Sequence, residues 1–261
     1  ELAWRAALQG IDGLRTVRPV VGRDGPVCAI DGRHVVAFAP IDGQELQPGD
    51  DLGQWFAPLG EITARLHLQA RAWTPPQGFT RKRWDAATIL GSKPHWGHWR
   101  QAQGLDARGA ALLQRATDRL ADRLHGFGTG SEAFGLIHAD LRLANLMVDG
   151  HGLWAIDFDD CGFGWWAYDL AAALSFIETD PRLPDLIARW CDGYCRIAPL
   201  RPQDRAMIPA LIFLRRVLLT AWLSSRADSD TALALGGAAY TQGTLELAEG
   251  YLANGLRVFQ P

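Results

Sequence analysis

His138, Asp140 and Asn145 stand in the pattern H-x-D-x-x-x-x-N, and Asp157 follows between Ile156 and Phe158. Phosphoryl transfer from ATP needs a carboxylate beside the attacking hydroxyl and oxygen ligands that hold Mg²⁺ on the phosphates. Asp140 suits the first task. Asn145 and Asp157 suit the second.

The elements around these residues must bring them together. Residues 134 to 137 are apolar and end at His138, which reads as a buried strand. Residues 146 to 148 and 153 to 156 are two further apolar runs, and Asp149, Gly150, His151 and Gly152 between them signal a turn. A hairpin folded about His151 is expected to set Asn145 opposite Asp157, where Cβ atoms lie about 4.5–5.5 Å apart. An amide oxygen and a carboxylate then share one Mg²⁺, a hard ion that keeps some waters and also binds substrate phosphates. Asp140 lies in the loop entering this hairpin. The competing reading is that Asp140 and Asn145 cap a turn and Asp157 ends a strand.

The segment from Leu136 to Leu146, the run from Ile156 to Gly164 and the group Tyr168, Asp169, Leu170 and Ala171 resemble the aminoglycoside phosphotransferase and choline kinase superfamily. The acids Asp157, Asp159 and Asp160, with Phe38 to Ile41 upstream, are most similar to the branch holding the bacterial stress response kinase and homoserine-kinase-like enzymes. The resemblance runs from about Glu1 to Tyr194 and is specific between 136 and 171. It implies an α+β, protein-kinase-like fold with Asp140 as catalytic base and Asn145 and Asp157 as metal ligands. It also implies that Asp169 braces the catalytic loop through backbone hydrogen bonds.

Composition agrees with an enzyme of this kind. At 261 residues the chain is one large domain or two small ones. Its 48% apolar content supports a sizeable core, and a net charge of −3 argues against a nucleic-acid partner. Four scattered cysteines, Cys28, Cys161, Cys191 and Cys195, read as buried free thiols in a reducing cytoplasm rather than a zinc site. No signal peptide opens the chain, and Arg215 and Arg216 interrupt its longest apolar stretch, so no membrane span is expected and the location reads as cytoplasmic.

Periodicity orders the rest. Residues 1 to 8 look like the end of a helix stopped by Gly10 and Gly13. Residues 17 to 29 and 34 to 38 are strand-like, joined by a turn at Asp31 and Gly32. Trp55, Leu59, Ile62 and Leu66 mark an amphipathic helix, and another is expected over 110–124. After Asp169 helices are expected over 169–179, 183–195, 203–225 and 229–254. The arrangement predicts an incomplete N-terminal β lobe over 1–42 and a mostly helical lobe over 43–261 carrying the catalytic β-hairpin. Phe38, Ala39, Pro40 and Ile41 fall where kinase-like folds hold adenine through backbone groups.

A complete small lobe of this type has a Gly-rich loop and a strand Lys paired to a helix Glu. Lys82 and Lys93 are the only lysines, both too far downstream, and Glu1 or a residue near it would be the helix Glu. A fragment lacking about 60 or more upstream residues is favoured over a degenerate kinase, since Asp140, Asn145 and Asp157 are all present.

Several residues carry two readings each. Arg142 either neutralises the moving phosphoryl group or is a solvated loop residue. Asp159 and Asp160 either add a metal contact, hold a cationic substrate or form a solvated loop. His138 is read as bracing the loop in preference to moving protons. Trp73, Trp84, Trp96 and Trp99 either cap a substrate pocket or belong to the core, and Trp165 and Trp166 either line the acceptor site or pack beneath the loop. Arg215 and Arg216 meet either an anionic substrate or a buried carboxylate. The resulting expectation is an ATP- and Mg²⁺-dependent phosphotransferase acting on a small hydroxylated metabolite: an amino alcohol, a hydroxy amino acid or a sugar. A Ser/Thr protein kinase of the stress-response type and a non-catalytic kinase-like binding module are the alternatives.

Overall fold

The computed structural model describes residues 1–259; Gln260 and Pro261, the end of the expected second lobe, lie outside the described residues. In chain order the elements are α1 (Leu2–Ala7), β1 (Cys28–Ile30), β2 (Arg33–Val35), β3 (Gln44–Glu45), α2 (Gly53–Ala72), β4 (Lys82–Trp84), α3 (Ala86–Ile89), α4 (Ala107–Phe127), β5 (Phe134–Ile137), β6 (Leu146–Asp149), β7 (Gly152–Ala155), β8 (Gly162–Trp165), α5 (Tyr168–Ala173), α6 (Leu183–Ile197), α7 (Pro202–Ser225), α8 (Asp230–Leu235) and α9 (Gly237–Asn254).

The expected N-terminal hairpin is present but short. β1 and β2 pair antiparallel across Asp31 and Gly32, which both take positive φ, 49° and 74°. That is the backbone a two-residue turn of this hand requires, and Asp followed by Gly tolerates it. Residues 18 and 20 continue the pairing as far as Ala37 and Ala39, through Val20 N–H to Ala37 O and Ala39 N–H to Arg18 O. This segment is tied to the rest of the molecule at β7. The Ala155 N–H donates to Arg15 O, and the Arg15 guanidinium forks onto both oxygens of Asp149 at 2.9 Å.

Two three-stranded sheets carry the site, ordered β3-β6-β7 and β4-β8-β5. β6 and β7 form the expected hairpin, with a register one residue from the expected one. Leu146 pairs with Ala155 and Asp149 with Gly152, so the turn is Gly150 and His151 and the residue opposite Asn145 is Ile156, not Asp157. The Ile156 N–H donates to Asn145 O at 3.0 Å. Asp157 is the next residue, and its φ of +57° turns the chain away from the ladder. The strands β4 and β8 were not expected. Their residues, Lys82, Arg83 and Trp84 against Gly162, Phe163 and Gly164, lack strong alternation, and their pairing is parallel and non-local.

The helical part is built on α2, which lies along α6. Gly60 and Gly193 face the opposing backbone at the crossing, and a Cβ at either would collide with Trp190 O or Ala57 O. The single long helix expected over 229–254 is instead α8 and α9, broken at Gly236 with φ +67° and ψ 93°. The helix expected over 169–179 ends at Ala173. The helix α7 is long and apolar enough to cross a membrane by composition alone, but 89% of that stretch is buried within the protein, as in a core helix. Its two arginines both find carboxylates. Arg216 pairs with Glu178 at 2.8 Å and also bonds Thr244 and Tyr240. All four cysteines are free. Cys161 and Cys191 are buried as expected, but Cys28 and Cys195 are exposed, because they fall on the outer β1 and at the solvent side of α6.

Candidate active site

β5 delivers the chain to His138, and the next three residues are fixed from several directions. Ala139 sits at φ +67°, a conformation that costs a residue with a Cβ about 1–2 kcal/mol. Asp169, fully buried at the start of α5, compensates: its Oδ1 accepts the Ala139 N–H at 2.6 Å and its Oδ2 the His138 N–H at 3.1 Å. The same Oδ2 lies 3.1 Å from His67 Nε2, and His67 Nδ1 lies 3.0 Å from the Tyr194 hydroxyl. So α2 and α6 hold Asp169, and Asp169 holds the loop.

His138 spends both ring nitrogens inside the loop. Nε2 lies 3.1 Å from Ile156 O, and Nδ1 accepts the Asp140 N–H at 3.3 Å, the pattern of a neutral imidazole. Burial pushes its pKa down, against the opposing pull of Asp169 and Asp140. A ring so engaged braces; it has no nitrogen left for a substrate proton.

Asp140 is buried and bonded on both oxygens. Oδ1 accepts from Arg215 Nη2, and Oδ2 accepts from Asn145 Nδ2 at 2.8 Å with Arg142 Nε 3.4 Å away. The Asn145 amide nitrogen also donates to Asp140 O, which leaves its Oδ1 free to face a cation. Asp157 accepts one hydrogen bond among the described residues, from the Asp159 N–H at 3.3 Å. These two side chains supply hard oxygen donors of the kind Mg²⁺ prefers. No group of three or more His, Cys, Asp or Glu among the described residues could hold a metal by itself.

Asp157 lies between two cavities. One, of about 460 Å³, is apolar and is lined by Val17, Phe38, Ala39, Ile41, Met147 and Ile156, with Glu1, Arg5 and Asp159. Ala39 and Ile41 also face a second hollow behind it, which Pro40 lines in place of the apolar slot. The other cavity next to Asp157 is small, about 170 Å³. It is lined by the charged residues Asp140, Arg142, Asp157, Asp160 and Arg215, together with Trp96, Phe176, Leu219, Trp222 and Thr231. Asp160 is paired with Lys82. Arg81, just before β4, donates to the carbonyl oxygens of Asp159 and Cys161, and Trp84 Nε1 of β4 donates to Asp160 O, so this segment fastens the loop that follows Asp157.

The tryptophans divide. Trp96 reaches the small cavity. Trp84 and Trp99 are core, and Trp165 and Trp166 neither line the small cavity nor pack beneath the loop: they are buried at the far end of β8, beside Phe134, with their N–H groups on Gly128 O and Ser131 O of the α4–β5 connection. The sequence offered no motif for Phe176, Trp222 or Met147. Arg215 did leave a signal, a charge inside an apolar helix, and the carboxylate it meets is Asp140.

The sequence pattern of the phosphotransferase enzyme family matches residues 1–206. The chain belongs to this family. A solved microcompartment-associated aminopropanol kinase is 43% identical, with a TM-score of 0.89, over 98% of this chain and 82% of that one. Amicoumacin kinase of Bacillus subtilis (strain 168) is 25% identical over 88% of this chain and 70% of its own length. An amicoumacin kinase solved with AMP-PNP and Ca²⁺ has a TM-score of 0.73 at 23% identity, over 94% of this chain and 76% of that one. The enzyme is a phosphotransferase that acts on an alcohol group, and kinases of this kind use ATP with a divalent metal.

Proposed function

We propose that this chain transfers the γ-phosphoryl group of ATP to the hydroxyl of a small amino alcohol. The observation that carries this is the 170 Å³ cavity beside Asp140. It is smaller than the roughly 300–1,000 Å³ of pockets for drug-sized ligands. Its lining combines the carboxylates Asp140 and Asp157 with the aromatic rings Trp96, Phe176 and Trp222. Aromatic faces attract an ammonium group. The likeness to an aminopropanol kinase supports the same acceptor class.

In this reading residues 1–42 form the small lobe, residues from 43 onward the large one, and Phe38 to Ile41 the hinge. Adenine lies in the apolar slot between Phe38, Ala39 and Ile41 and the hairpin residues Met147 and Ile156. Asn145 and Asp157 hold Mg²⁺ where that slot meets the acceptor cavity; the ion when bound neutralises phosphate charge. Asp140 orients the acceptor hydroxyl and takes its proton. Arg142 faces the same cavity and balances charge on the phosphoryl group in transit.

The test is incubation with γ-labelled ATP, Mg²⁺ and, separately, aminopropanol, homoserine, a hexose and a cell extract. Labelled aminopropanol is the expected product. It should be absent with Asp140→Ala, which keeps nucleotide binding, and nucleotide binding should weaken with Asp157→Ala. Label appearing in homoserine, hexose or protein would displace the amino alcohol, and unchanged turnover in Asp140→Ala would remove Asp140 as the base.

A further inference from the structure

Asp140 has two carboxylate oxygens, and the structure treats them differently. Oδ1 is bound by Arg215, a residue 75 positions away on α7 that is 1% exposed. Each of the three guanidinium nitrogens of Arg215 has a partner. Nη2 donates to Asp140 Oδ1, Nε to Ser175 Oγ at 2.9 Å, and Nη1 to the Ala139 carbonyl at 3.3 Å. The guanidinium also lies 5.1 Å from the Trp96 ring centre. With its nitrogens so engaged, Arg215 is poorly placed to greet a phosphate or an anionic substrate. Oδ2 accepts one hydrogen bond, from Asn145 Nδ2 at 2.8 Å, and lies 3.4 Å from Arg142 Nε, whose partly exposed guanidinium lines the acceptor cavity.

From this geometry we infer that Arg215 is a positioning residue for phosphoryl transfer. It locks Asp140 Oδ1 and the left-handed Ala139 together, so that Oδ2, with Asn145 on one of its lone pairs, is the oxygen that meets the acceptor hydroxyl. The inference rests on Asp140 being the base. In the step it serves, the acceptor oxygen bonds the γ-phosphorus as its proton passes to Asp140 Oδ2. The bond from γ-phosphorus to the bridging oxygen breaks with its electron pair leaving on ADP. Rotation of the carboxylate would cost the charge-assisted bond to a buried cation, which has no water to replace it. Ala139 is held at φ +67° through both its N–H, by Asp169, and its carbonyl, by Arg215. Residues held in such conformations persist where the surroundings over-determine them. Arg215 lies beyond residue 206, where the match to the family pattern ends, so the lock is built from a part of the chain outside that pattern. The same face of α7 carries Leu219 and Trp222 into the acceptor cavity. One helix therefore both holds the base and lines the cavity beside it.

The experiment compares Arg215→Met and Arg215→Lys, each alone and in an Asp140→Asn background. Turnover is measured at fixed pH with Mg-ATP and aminopropanol, and with water as the acceptor when aminopropanol is left out. Arg215→Met is expected to lower kcat about 100-fold per folded molecule, the scale of one lost preorganised contact, with KM for ATP within about twofold. Arg215→Lys should recover about a tenth of the wild-type kcat, since it restores charge without the fork. In the Asp140→Asn background the same change should cost less than about threefold, as groups acting as a unit are non-additive. If Arg215→Met does not fold, Arg215→Lys and Ser175→Ala carry the test, the latter with a smaller kcat loss and again with KM for ATP within about twofold. A kcat within threefold of wild type, or an equal cost in both backgrounds, would overturn the inference. Wild-type turnover by Asp140→Asn alone would instead sink Asp140 as base, a separate result.

Discussion

Asn145 donates through Nδ2 to the Asp140 carboxylate at 2.8 Å, so the amide expected to meet the metal and the expected base are joined by a single hydrogen bond. The amide has two ends with opposite character. Its nitrogen fixes Asp140 and its oxygen remains for a cation. Asn145→Asp keeps the hard oxygen but sets a carboxylate against a carboxylate. The expected outcome is a kcat loss of about 100-fold or more, with saturation by Mg²⁺ retained at a raised concentration. A Mg²⁺ titration of initial rates checks it; a variant with wild-type kcat would show that the bond has no part in transfer.

The ion pair of Arg216 with Glu178 is buried on both sides and shares its remaining bonds with Tyr240 and Thr244. Removing one partner strands a charge, which costs about 3–5 kcal/mol. Glu178→Gln and Arg216→Met should each lower the urea midpoint accordingly. The double variant should fall short of the summed loss by at least about 1 kcal/mol, since contacting residues are coupled. Strict additivity would mean that the pair is held by its surroundings and not by each other.

His138 is buried with its pKa pushed down from the usual value of about 6.5. The folded state therefore binds the proton more weakly than the unfolded chain. Its contribution to stability is present above the unfolded pKa and is lost as pH falls through about 6.5 toward the folded value, at most about 1.4 kcal/mol per pH unit. Urea unfolding from pH 7.5 to 5 should show this slope, and His138→Gln should flatten it. An unchanged slope in the variant would assign the acid sensitivity to other groups.

Burial pushes the Cys161 thiol up to about 11 and Cys191 up to about 12, while Cys28 and Cys195 are exposed. Thiolate is the reactive form. At pH 8 a thiol reagent should titrate two groups quickly in the native protein and four in denaturant. Mass spectrometry should find the fast label on Cys28 and Cys195; early label on Cys161 would show that the loop after Asp157 opens.

Much of the site was legible because its parts are close in sequence. The spacing of His138, Asp140, Asn145 and Asp157, the apolar runs around them and the turn between them belong to one stretch whose local geometry is short-range. Even there the hairpin register slipped by one, because Gly150 and His151 form a two-residue turn and the residues alone did not fix which pair would close it. Strands β4 and β8 escaped notice because a parallel pair joined over such a distance leaves no local signature, and Gly162 and Gly164 pack against Trp84 and Ile137 where alternation would show larger residues.

Sequence by itself determined the reaction class, the candidates for the acid and amide groups and the helical character of the second half. Those follow from residue types at fixed short spacing and from 3.6-residue periodicity. Tertiary structure decided which partner holds each oxygen of Asp140, which tryptophans line the cavity beside it and how small that cavity is. Arg215, Trp96 and Trp222 meet Asp140 only after α7 is buried against the loop, and that convergence depends on packing between elements far apart in the chain.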